Sequence, residues 1–160
     1  MTELYFCRSS ELQETLKSVL SARIGSGYEI KRTYNGKPYI EGNPVFFSIS
    51  HSGGDGVILI CDIPCGVDLE VLKERKFDSY YKRLSTRERA EISGNLNAFL
   101  TNWVAKEAYI KYIGGTVAHD LKRLEYFGGT LYCGGKKADC EINISYTDSA
   151  VCAVCTGEKI

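Results

Sequence analysis

The order of the predicted elements constrains the fold of this chain more than any other feature of its sequence. Apolar residues recur at helical spacing over residues 10–22 and again over residues 98–113, where Gly114 and Gly115 end the second helix. Short apolar segments separated by glycine turns follow each helix. This order predicts an α+β domain built from two similar halves, each a helix packed on a sheet.

The predicted strands are short and are bounded by turn residues. An Asn35-Gly36 turn breaks an extended region, and a capping box at Ser85-Thr86-Arg87-Glu88 opens a short helix before the second long one. A length of 160 residues fits one hydrophobic core, so we expect residues 1–160 to form a single domain whose halves, 1–70 and 71–160, meet near residue 70. The strand candidates are residues 28–40, 45–50, 57–61, 66–71, 124–127, 130–133, 140–146 and 150–156.

Two acidic residues stand two positions apart in one of these strands. Asp68 and Glu70 project from the same strand face, about 7 Å apart at Cα, and Glu107 on the second long helix is a third candidate. Carboxylate oxygens of this kind suit a hard cation that also contacts a phosphate, and Mg²⁺ is the usual one. Taken alone, the Asp-x-Glu pair is more typical of an exposed polar strand face.

Glu107 and Lys111 are four residues apart, so they share one face of the predicted helix. An ordinary surface ion pair explains that spacing equally well. Trp103 lies one turn earlier on the same face, and we expect it to anchor the helix by packing rather than to contact a ligand.

A serine-histidine-serine segment ends the strand before a glycine-rich turn. At an exposed strand end, Ser50, His51 and Ser52 would offer hydroxyls, backbone N–H groups and an imidazole to a phosphate. A structural histidine at a turn is an equally good reading of His51 by itself.

Together these segments resemble the signatures of the 4′-phosphopantetheinyl transferase superfamily. In chain order the matching segments are Gly36-Lys37-Pro38, Ile49-Ser50-His51-Ser52, Gly66-Val67-Asp68-Leu69-Glu70 and a W-x-x-K-E-A-x-x-K pattern from Trp103 to Lys111. A helix-and-strand segment precedes the Asp motif, which is similar to the single-chain, surfactin-synthetase-activating type, here with a short N-terminal part. The resemblance implies the transferase fold, two pseudo-twofold-related halves that are each a helix on an antiparallel sheet, with coenzyme A between them.

The resemblance also implies roles for the acidic residues and one lysine. Asp68, Glu70 and Glu107 would hold Mg²⁺ against the pyrophosphate of coenzyme A, and Lys111 would stabilise the pyrophosphate charge. Lys106 matches the family pattern without a clear role.

The nucleotide end of coenzyme A would meet a different set of residues. By resemblance, Ser50 and His51 would contact the 3′-phosphate end, and Lys37 would lie beside the adenosine portion. Family members carry basic residues for the 3′-phosphate in a longer N-terminal segment, and Lys31 and Arg32 are the candidates to replace them here.

The implied reaction transfers 4′-phosphopantetheine from coenzyme A to a serine of an apo acyl or peptidyl carrier protein. The serine hydroxyl attacks the β-phosphorus, and adenosine 3′,5′-bisphosphate leaves. Such a hydroxyl needs a base, for which Glu107 is the candidate, so Glu107, Lys111 and Asp68 are the expected catalytic residues. Two alternatives stay open: a non-catalytic family member that binds coenzyme A or carrier protein, and a magnesium-dependent phosphohydrolase.

A basic segment is the candidate docking surface for the carrier protein. Residues 73–89 hold seven Lys and Arg against three Asp and Glu, a local charge of +4 in a chain of zero formal net charge. Carrier proteins are usually acidic, and Tyr80, Tyr81 and Leu84 would add apolar contact. A solvated face with Tyr81 and Leu84 in the core is equally consistent.

The composition of the chain argues against some classes of partner and against a secreted protein. Zero net charge without an aromatic and basic module argues against nucleic acid, and no apolar run reaches the roughly 20 residues of a membrane helix. Seven cysteines, an odd number, with no leader peptide argue against a disulfide-bonded secreted protein. We expect a cytoplasmic protein that is a monomer, because one chain holds both halves.

Overall fold

The computed structural model describes residues 1–42, 45–73 and 78–157 of the chain. Two three-stranded antiparallel sheets form its centre, and each carries one long helix. The α+β prediction is therefore confirmed. Among the described helices, none combines the length and the apolar character needed to cross a lipid bilayer.

The first repeat ends before residue 62, and its core lies between one helix and one sheet. Leu16 and Leu20 of the helix pack against Phe47, Ile58 and Ile60 of the sheet. Its elements are β1 (Thr2–Arg8), a 3₁₀ turn (Ser9–Glu11), α1 (Leu12–Ile24), the hairpin strands β2 (Ile30–Arg32) and β3 (Pro38–Ile40), β4 (Phe46–Ser52) and β5 (Asp55–Cys61).

The second repeat has the same plan with longer insertions. Its long helix packs on its sheet through residues such as Leu100, Val104 and Ala108, against Val151 and Ala153. The elements are β6 (Cys65–Val71), α2 (Asp78–Tyr81), α3 (Thr86–Ile92), α4 (Leu96–Ile113), α5 (Val117–Asp120), a 3₁₀ turn (Leu121–Arg123), β7 (Leu124–Phe127), β8 (Thr130–Cys133), β9 (Lys136–Lys137), β10 (Glu141–Tyr146) and β11 (Ala150–Thr156).

The strand orders reveal the internal repeat. The first sheet has the order β1-β5-β4 and the second has the order β6-β11-β10, so β6 takes the position that β1 takes in the first sheet. The sequence analysis drew the boundary near residue 70 and so assigned β6 to the first half. By its pairing with β11, β6 belongs to the second sheet, and the change of sheet falls in residues 62–64.

The sequence analysis missed the short elements α2, α5 and β9, and it missed strand β1. Its residues are mostly half-buried or exposed at the edge of the sheet, so an alternating apolar pattern is weak. The run from Leu4 to Cys7, rich in residues of high strand propensity, was the available signal.

The helix ends follow local sequence signals. Ser85 caps α3, where its hydroxyl accepts the Glu88 N–H at 3.3 Å while the Glu88 carboxylate accepts the Ser85 N–H at 2.9 Å. Asn95 caps α4 in a similar way, and Gly114 ends it in the left-handed conformation at φ +67°. The predicted capping box and the predicted glycine stop are both confirmed.

Gly66 allows α4 to lie directly on β6. A Cβ atom at this position would fall 2.1 Å from the Ala108 carbonyl oxygen and 2.4 Å from the Tyr112 backbone nitrogen. Because both neighbours are helix backbone, neither can move aside without displacing α4. The glycine that opens the Gly66-to-Glu70 segment is thus required by packing.

We predict that Gly66→Ala destabilises the protein by about 3 kcal/mol or more, because the methyl group overpacks a helix–sheet contact. Urea unfolding followed by circular dichroism measures the loss. Gly54→Ala is the matched control: its Cβ would come no closer than 4.0 Å to another group, and we expect a change within about 0.5 kcal/mol. Equal unfolding midpoints for the two variants would contradict the packing argument.

Candidate active site

A buried carboxylate lies where the two repeats meet. Asp68 on β6 is 5% exposed, and its Oδ1 atom lies 2.7 Å from Lys111 Nζ of α4 and accepts the Ser50 hydroxyl of β4 at 2.7 Å. Lys111 Nζ also lies 2.8 Å from Ser50 Oγ. These three side chains therefore form one hydrogen-bonded group, which excludes an exposed polar strand face as the explanation of Asp68.

The charges in this group perturb one another. Burial raises the pKa of Asp68, and the Lys111 ammonium and the Ser50 hydroxyl oppose the rise. Removing a carboxylate from water disfavours its ionised form, whereas a cation within hydrogen-bond distance favours it. The Lys111 ammonium binds this buried carboxylate, and its charge also acts on Glu107, so the pairing of Lys111 extends beyond a surface contact along the helix.

Glu107 and Glu70 lie close enough to this group to interact with it. Burial and the charge of Asp68, with a smaller contribution from Glu70, raise the pKa of Glu107 to about 7, and the Lys111 ammonium opposes the rise. Glu70 in turn raises the pKa of Asp68. Asp68 and Glu107 thus lie within electrostatic range of each other and of Glu70 and Lys111, and their shared role toward a metal and a pyrophosphate stays a prediction.

The donor set fits a divalent cation in its chemistry. Asp68 Oδ2 is buried and has no hydrogen-bond partner among the described residues, so this oxygen is available to a ligand. Carboxylate oxygens are the ligands that Mg²⁺ prefers. Within residues 1–42, 45–73 and 78–157, no three His, Cys, Asp or Glu side chains converge as tightly as a metal requires. In this arrangement Lys111 supplies the positive charge next to Asp68.

The two residues predicted to meet a phosphate point in opposite directions. Alternation along β4 buries Ser50, which is 6% exposed, and leaves His51 exposed. The sequence analysis predicted that all three side chains at this strand end are exposed. That prediction is wrong for Ser50 and Ser52, which are buried, and correct for the imidazole of His51. Whether His51 contacts a phosphate stays a prediction.

Lys37 joins the two repeats through its side chain. Its ammonium donates to the Tyr112 carbonyl at 2.8 Å, near the end of α4, and to the Cys65 carbonyl at 3.2 Å. Burial lowers the pKa of Lys37. On the same turn, Asn35 donates its side-chain N–H to the Gly114 carbonyl at 2.9 Å, so the β2–β3 turn is tied to the end of α4.

A cleft of about 200 Å³ opens beside this contact. It is bounded by the β2–β3 turn, by β4 and by the end of α4, so both repeats contribute to it. Lys111 lies on its wall and links it to the buried carboxylate. The lining residues are Asn35, Gly36, Lys37, Pro38, Phe47, Ser48, Ile49, Lys111, Gly114 and Gly115.

The basic residues proposed to replace a longer N-terminal segment have partners in the hairpin. Lys31 forms an ion pair with Glu41, and Arg32 donates to the Gly36 carbonyl at 2.9 Å. The role of Lys31 and Arg32 toward a phosphate stays a prediction.

Sequence reasoning missed a buried polar network in the second repeat. Lys106 and Glu88 are each 1% exposed and form an ion pair. Glu88 also accepts N–H groups of Asn102 and of the Tyr126 backbone, both at 2.9 Å, and Asn102 accepts the Tyr80 hydroxyl at 2.9 Å. Lys106 thus has a structural role, and the capping-box Glu88 was the only sequence signal of its partner.

The hydrogen bonds of this network lower the pKa of Glu88. Burial by itself would raise the pKa of Glu88, but hydrogen bonds from Lys106, Asn102 and Tyr126 outweigh it and hold the pKa below its usual value. The same burial lowers the pKa of Lys106. Trp103 packs edge-to-face on Tyr80, with ring centroids 4.6 Å apart, so the predicted packing role of Trp103 is confirmed.

The predicted docking surface lies only partly within the described residues, because residues 74–77 fall outside them. Arg83 and Arg87 are exposed, and the Arg87 guanidinium lies 4.7 Å from the ring centre of Phe127. Tyr80 and Leu84 are buried at 8% and 2% exposure, whereas Tyr81 lies at the surface. The predicted apolar contribution of Tyr80 and Leu84 to docking is therefore wrong, because both belong to the core.

A family model and several curated proteins match this sequence. The model described as the 4′-phosphopantetheinyl transferase superfamily matches residues 64–155. The 4′-phosphopantetheinyl transferase psf-1 of Bacillus pumilus is 36% identical over 139 residues, which cover 76% of this chain and 58% of that protein. A protein of Haemophilus influenzae named as a putative 4′-phosphopantetheinyl transferase is 34% identical over 96 residues, covering 54% of this chain and 40% of its own length.

Animal proteins match more distantly. An L-aminoadipate-semialdehyde dehydrogenase-phosphopantetheinyl transferase of Pongo abelii is 29% identical over 118 residues, covering 61% of this chain and 38% of that protein. The chain thus spans between 38% and 58% of the length of these relatives.

We predict that Lys106→Met lowers the free energy of unfolding by about 3–5 kcal/mol, because it leaves the Glu88 carboxylate buried without its cation. Urea unfolding at neutral pH measures the loss. A double variant, Glu88→Gln with Lys106→Met, contains no buried charge and should recover part of it. If the double variant were less stable than the single variant, the ion pair would not be the cause.

Proposed function

The chain belongs to the 4′-phosphopantetheinyl transferase superfamily, and from this membership we propose that it transfers 4′-phosphopantetheine from coenzyme A to a serine hydroxyl of an apo carrier protein. The observation that carries the proposal is the group of Asp68, Glu70, Glu107 and Lys111 at the junction of the repeats. Three carboxyl groups beside one ammonium suit a magnesium-bound pyrophosphate.

The three carboxyl groups have the chemistry to hold Mg²⁺. Asp68 would contribute its Oδ2 atom, which no described residue hydrogen-bonds, and Glu70 and Glu107 would complete the protein ligands. The metal, when bound, would neutralise negative charge on the pyrophosphate oxygens. Lys111 would share this task, because its ammonium reaches both the buried carboxylate and the wall of the cleft.

Glu107 is the proposed base. Burial and the neighbouring carboxylates raise its pKa to about 7, so its affinity for a proton exceeds that of an ordinary glutamate. It would take the proton of the attacking carrier serine. The new bond joins the serine oxygen to the β-phosphorus. The bond from that phosphorus to the bridging oxygen breaks, and adenosine 3′,5′-bisphosphate leaves with the electron pair.

We propose that the nucleotide occupies the cleft between the repeats. The Lys37-Pro38 turn would lie beside the adenosine, through backbone and methylene groups, because the Lys37 ammonium already binds two carbonyls. The exposed imidazole of His51 would contact the 3′-phosphate. Ser50 would act through its bonds to Asp68 and Lys111.

The acceptor would dock on the basic surface beside α3. Arg83 and Arg87 are exposed there, and Arg87 is held over the Phe127 ring, which limits the freedom that docking must remove. An acidic carrier protein would be attracted to this surface by charge. Both residues lie on the second repeat, which also supplies Glu107 and Lys111.

Two other functions share parts of this site and give different results in one assay. The protein is incubated with coenzyme A, Mg²⁺ and an apo carrier protein, and the carrier is analysed by mass spectrometry. Transfer adds a phosphopantetheine group to the carrier serine. Binding of coenzyme A without an adduct favours a non-catalytic binding protein, and release of phosphate without an adduct favours a phosphohydrolase.

We predict that Glu107→Gln lowers the transfer rate at least about 100-fold, because an amide cannot accept the serine proton. The rate is measured from the mass-spectrometric adduct under single-turnover conditions. Thr101→Ala, in the same helix and away from the site, is the control that should retain activity. Full activity of Glu107→Gln would show that Glu107 is not the base.

We predict that reversing two exposed charges, Arg83→Glu with Arg87→Glu, raises the KM for carrier protein at least about tenfold and leaves the KM for coenzyme A unchanged. Steady-state kinetics with each substrate varied in turn measure both constants. Lys136→Glu with Lys137→Glu changes the net charge equally at the exposed strand β9 and should alter neither constant. Equal effects of the two double variants would exclude a specific docking surface.

A further inference from the structure

Three serines alternate along β4 on the face that does not contribute to the core of the first repeat. Phe47 and Ile49 point into that core, whereas Ser48, Ser50 and Ser52 are 4%, 6% and 7% exposed. Alternate residues of a strand share a face. Burying three hydroxyls costs free energy unless each has a hydrogen-bond partner. The partners of these serines therefore indicate the role of each.

Every one of these hydroxyls binds β6. Ser48 accepts the Val67 N–H at 3.0 Å, and Ser50 donates to Asp68 as described above. Ser52 donates to Glu70 Oε2 at 2.6 Å and accepts the Val71 N–H at 3.3 Å.

The contacts show how the two sheets are joined. The residue numbers rise together along both strands, so β4 and β6 run parallel. Each is the last strand of its own sheet, bonded on one side to β5 or to β11. Serine hydroxyls thus accept hydrogen bonds from two backbone N–H groups of β6, those of Val67 and Val71. In a continuous sheet, a carbonyl of the neighbouring strand would accept these bonds.

The three serines nevertheless do different things. Among the described residues, the Ser48 hydroxyl contacts only a backbone N–H, that of Val67, so its contact holds the strands together. Ser50 already belongs to the Asp68 and Lys111 group. Ser52 uses its single proton on a side-chain carboxylate and anchors its own oxygen on the next backbone N–H of the same strand. A hydroxyl has one proton to donate, so this contact fixes both the hydroxyl and the Glu70 oxygen that receives it.

We propose that Ser52 is a positioning residue that holds the Glu70 carboxylate, from the neighbouring repeat, on the β6 face that also bears Asp68, so that it can take part in binding a divalent cation with Asp68 and Glu107. The inference rests on the proposed function for the assignment of Asp68, Glu70 and Glu107 as cation ligands. Hydrogen bonds of this kind orient metal ligands, and their loss typically weakens metal binding about 10–100-fold.

The test titrates the protein with Mn²⁺ in a calorimeter, without coenzyme A. We expect Ser52→Ala to weaken Mn²⁺ binding about tenfold or more and Ser52→Thr, which keeps the hydroxyl, to restore it. Ser48→Ala is the matched control, because it removes a buried hydroxyl of the same row that binds only backbone. It should lower the urea unfolding midpoint and leave Mn²⁺ affinity unchanged.

A second measurement needs no metal. Urea midpoints of Ser52→Ala, Glu70→Gln and the double variant form a cycle, and midpoint shifts that do not add would support a direct bond between the two side chains. Additive shifts, or a folded Ser52→Ala protein that binds Mn²⁺ like the parent, would overturn the proposal. Failure of the parent protein to bind Mn²⁺ would overturn it as well.

These outcomes separate the inference from the proposed transfer reaction. If the parent binds Mn²⁺ and Ser52→Ala weakens that binding, the positioning role stands even when no carrier protein is modified. If transfer occurs and Ser52→Ala leaves both Mn²⁺ affinity and the kcat of transfer unchanged, the proposed function stands and the positioning role fails.

Discussion

The ion pair between Asp68 and Lys111, with Ser50 bound to both, is the interaction on which the rest of the structure depends. Its three members come from β6, α4 and β4, so both repeats must be docked before the group can form. A carboxylate as buried as Asp68 costs several kcal/mol unless its charge is matched and its lone pairs are used. The junction of the repeats and the candidate site therefore form together.

Lys106 and Lys111 of α4 have different roles because they lie on different faces of the helix. Successive helix residues are rotated by about 100°, so Lys106 turns into the core of the second repeat while Glu107 and Lys111, four residues apart, face the junction. Lys106 then needs Glu88 as a buried partner. The family pattern from Trp103 to Lys111 thus places on one helix a packing residue, a lysine of a structural ion pair and the two residues proposed for the chemistry.

The polar group at the junction does not maximise stability. Within the part of the chain that the structure describes, Asp68 Oδ2 has no hydrogen-bond partner, and burial beside another carboxyl group raises the pKa of Glu107 to about 7. Groups left incompletely satisfied in an otherwise well-satisfied structure are typical of functional sites. Glu88 differs from Asp68 in this respect, because both of its oxygens have partners within its network. We therefore infer a structural role for Glu88 and a functional one for Asp68.

The sequence alone determined the α+β class, most strand and helix positions, the glycine and serine signals at helix ends, and the four residues of the candidate site. These rest on local propensity, on periodicity and on family resemblance, which one chain carries along its length. The tertiary structure decided that β6 pairs with β11, that Ser50 is buried with Asp68 while His51 faces outward, and that Lys106 is structural. Each of those depends on which strand edge or helix face meets which neighbour, and contacts between distant segments leave no periodic trace in the sequence.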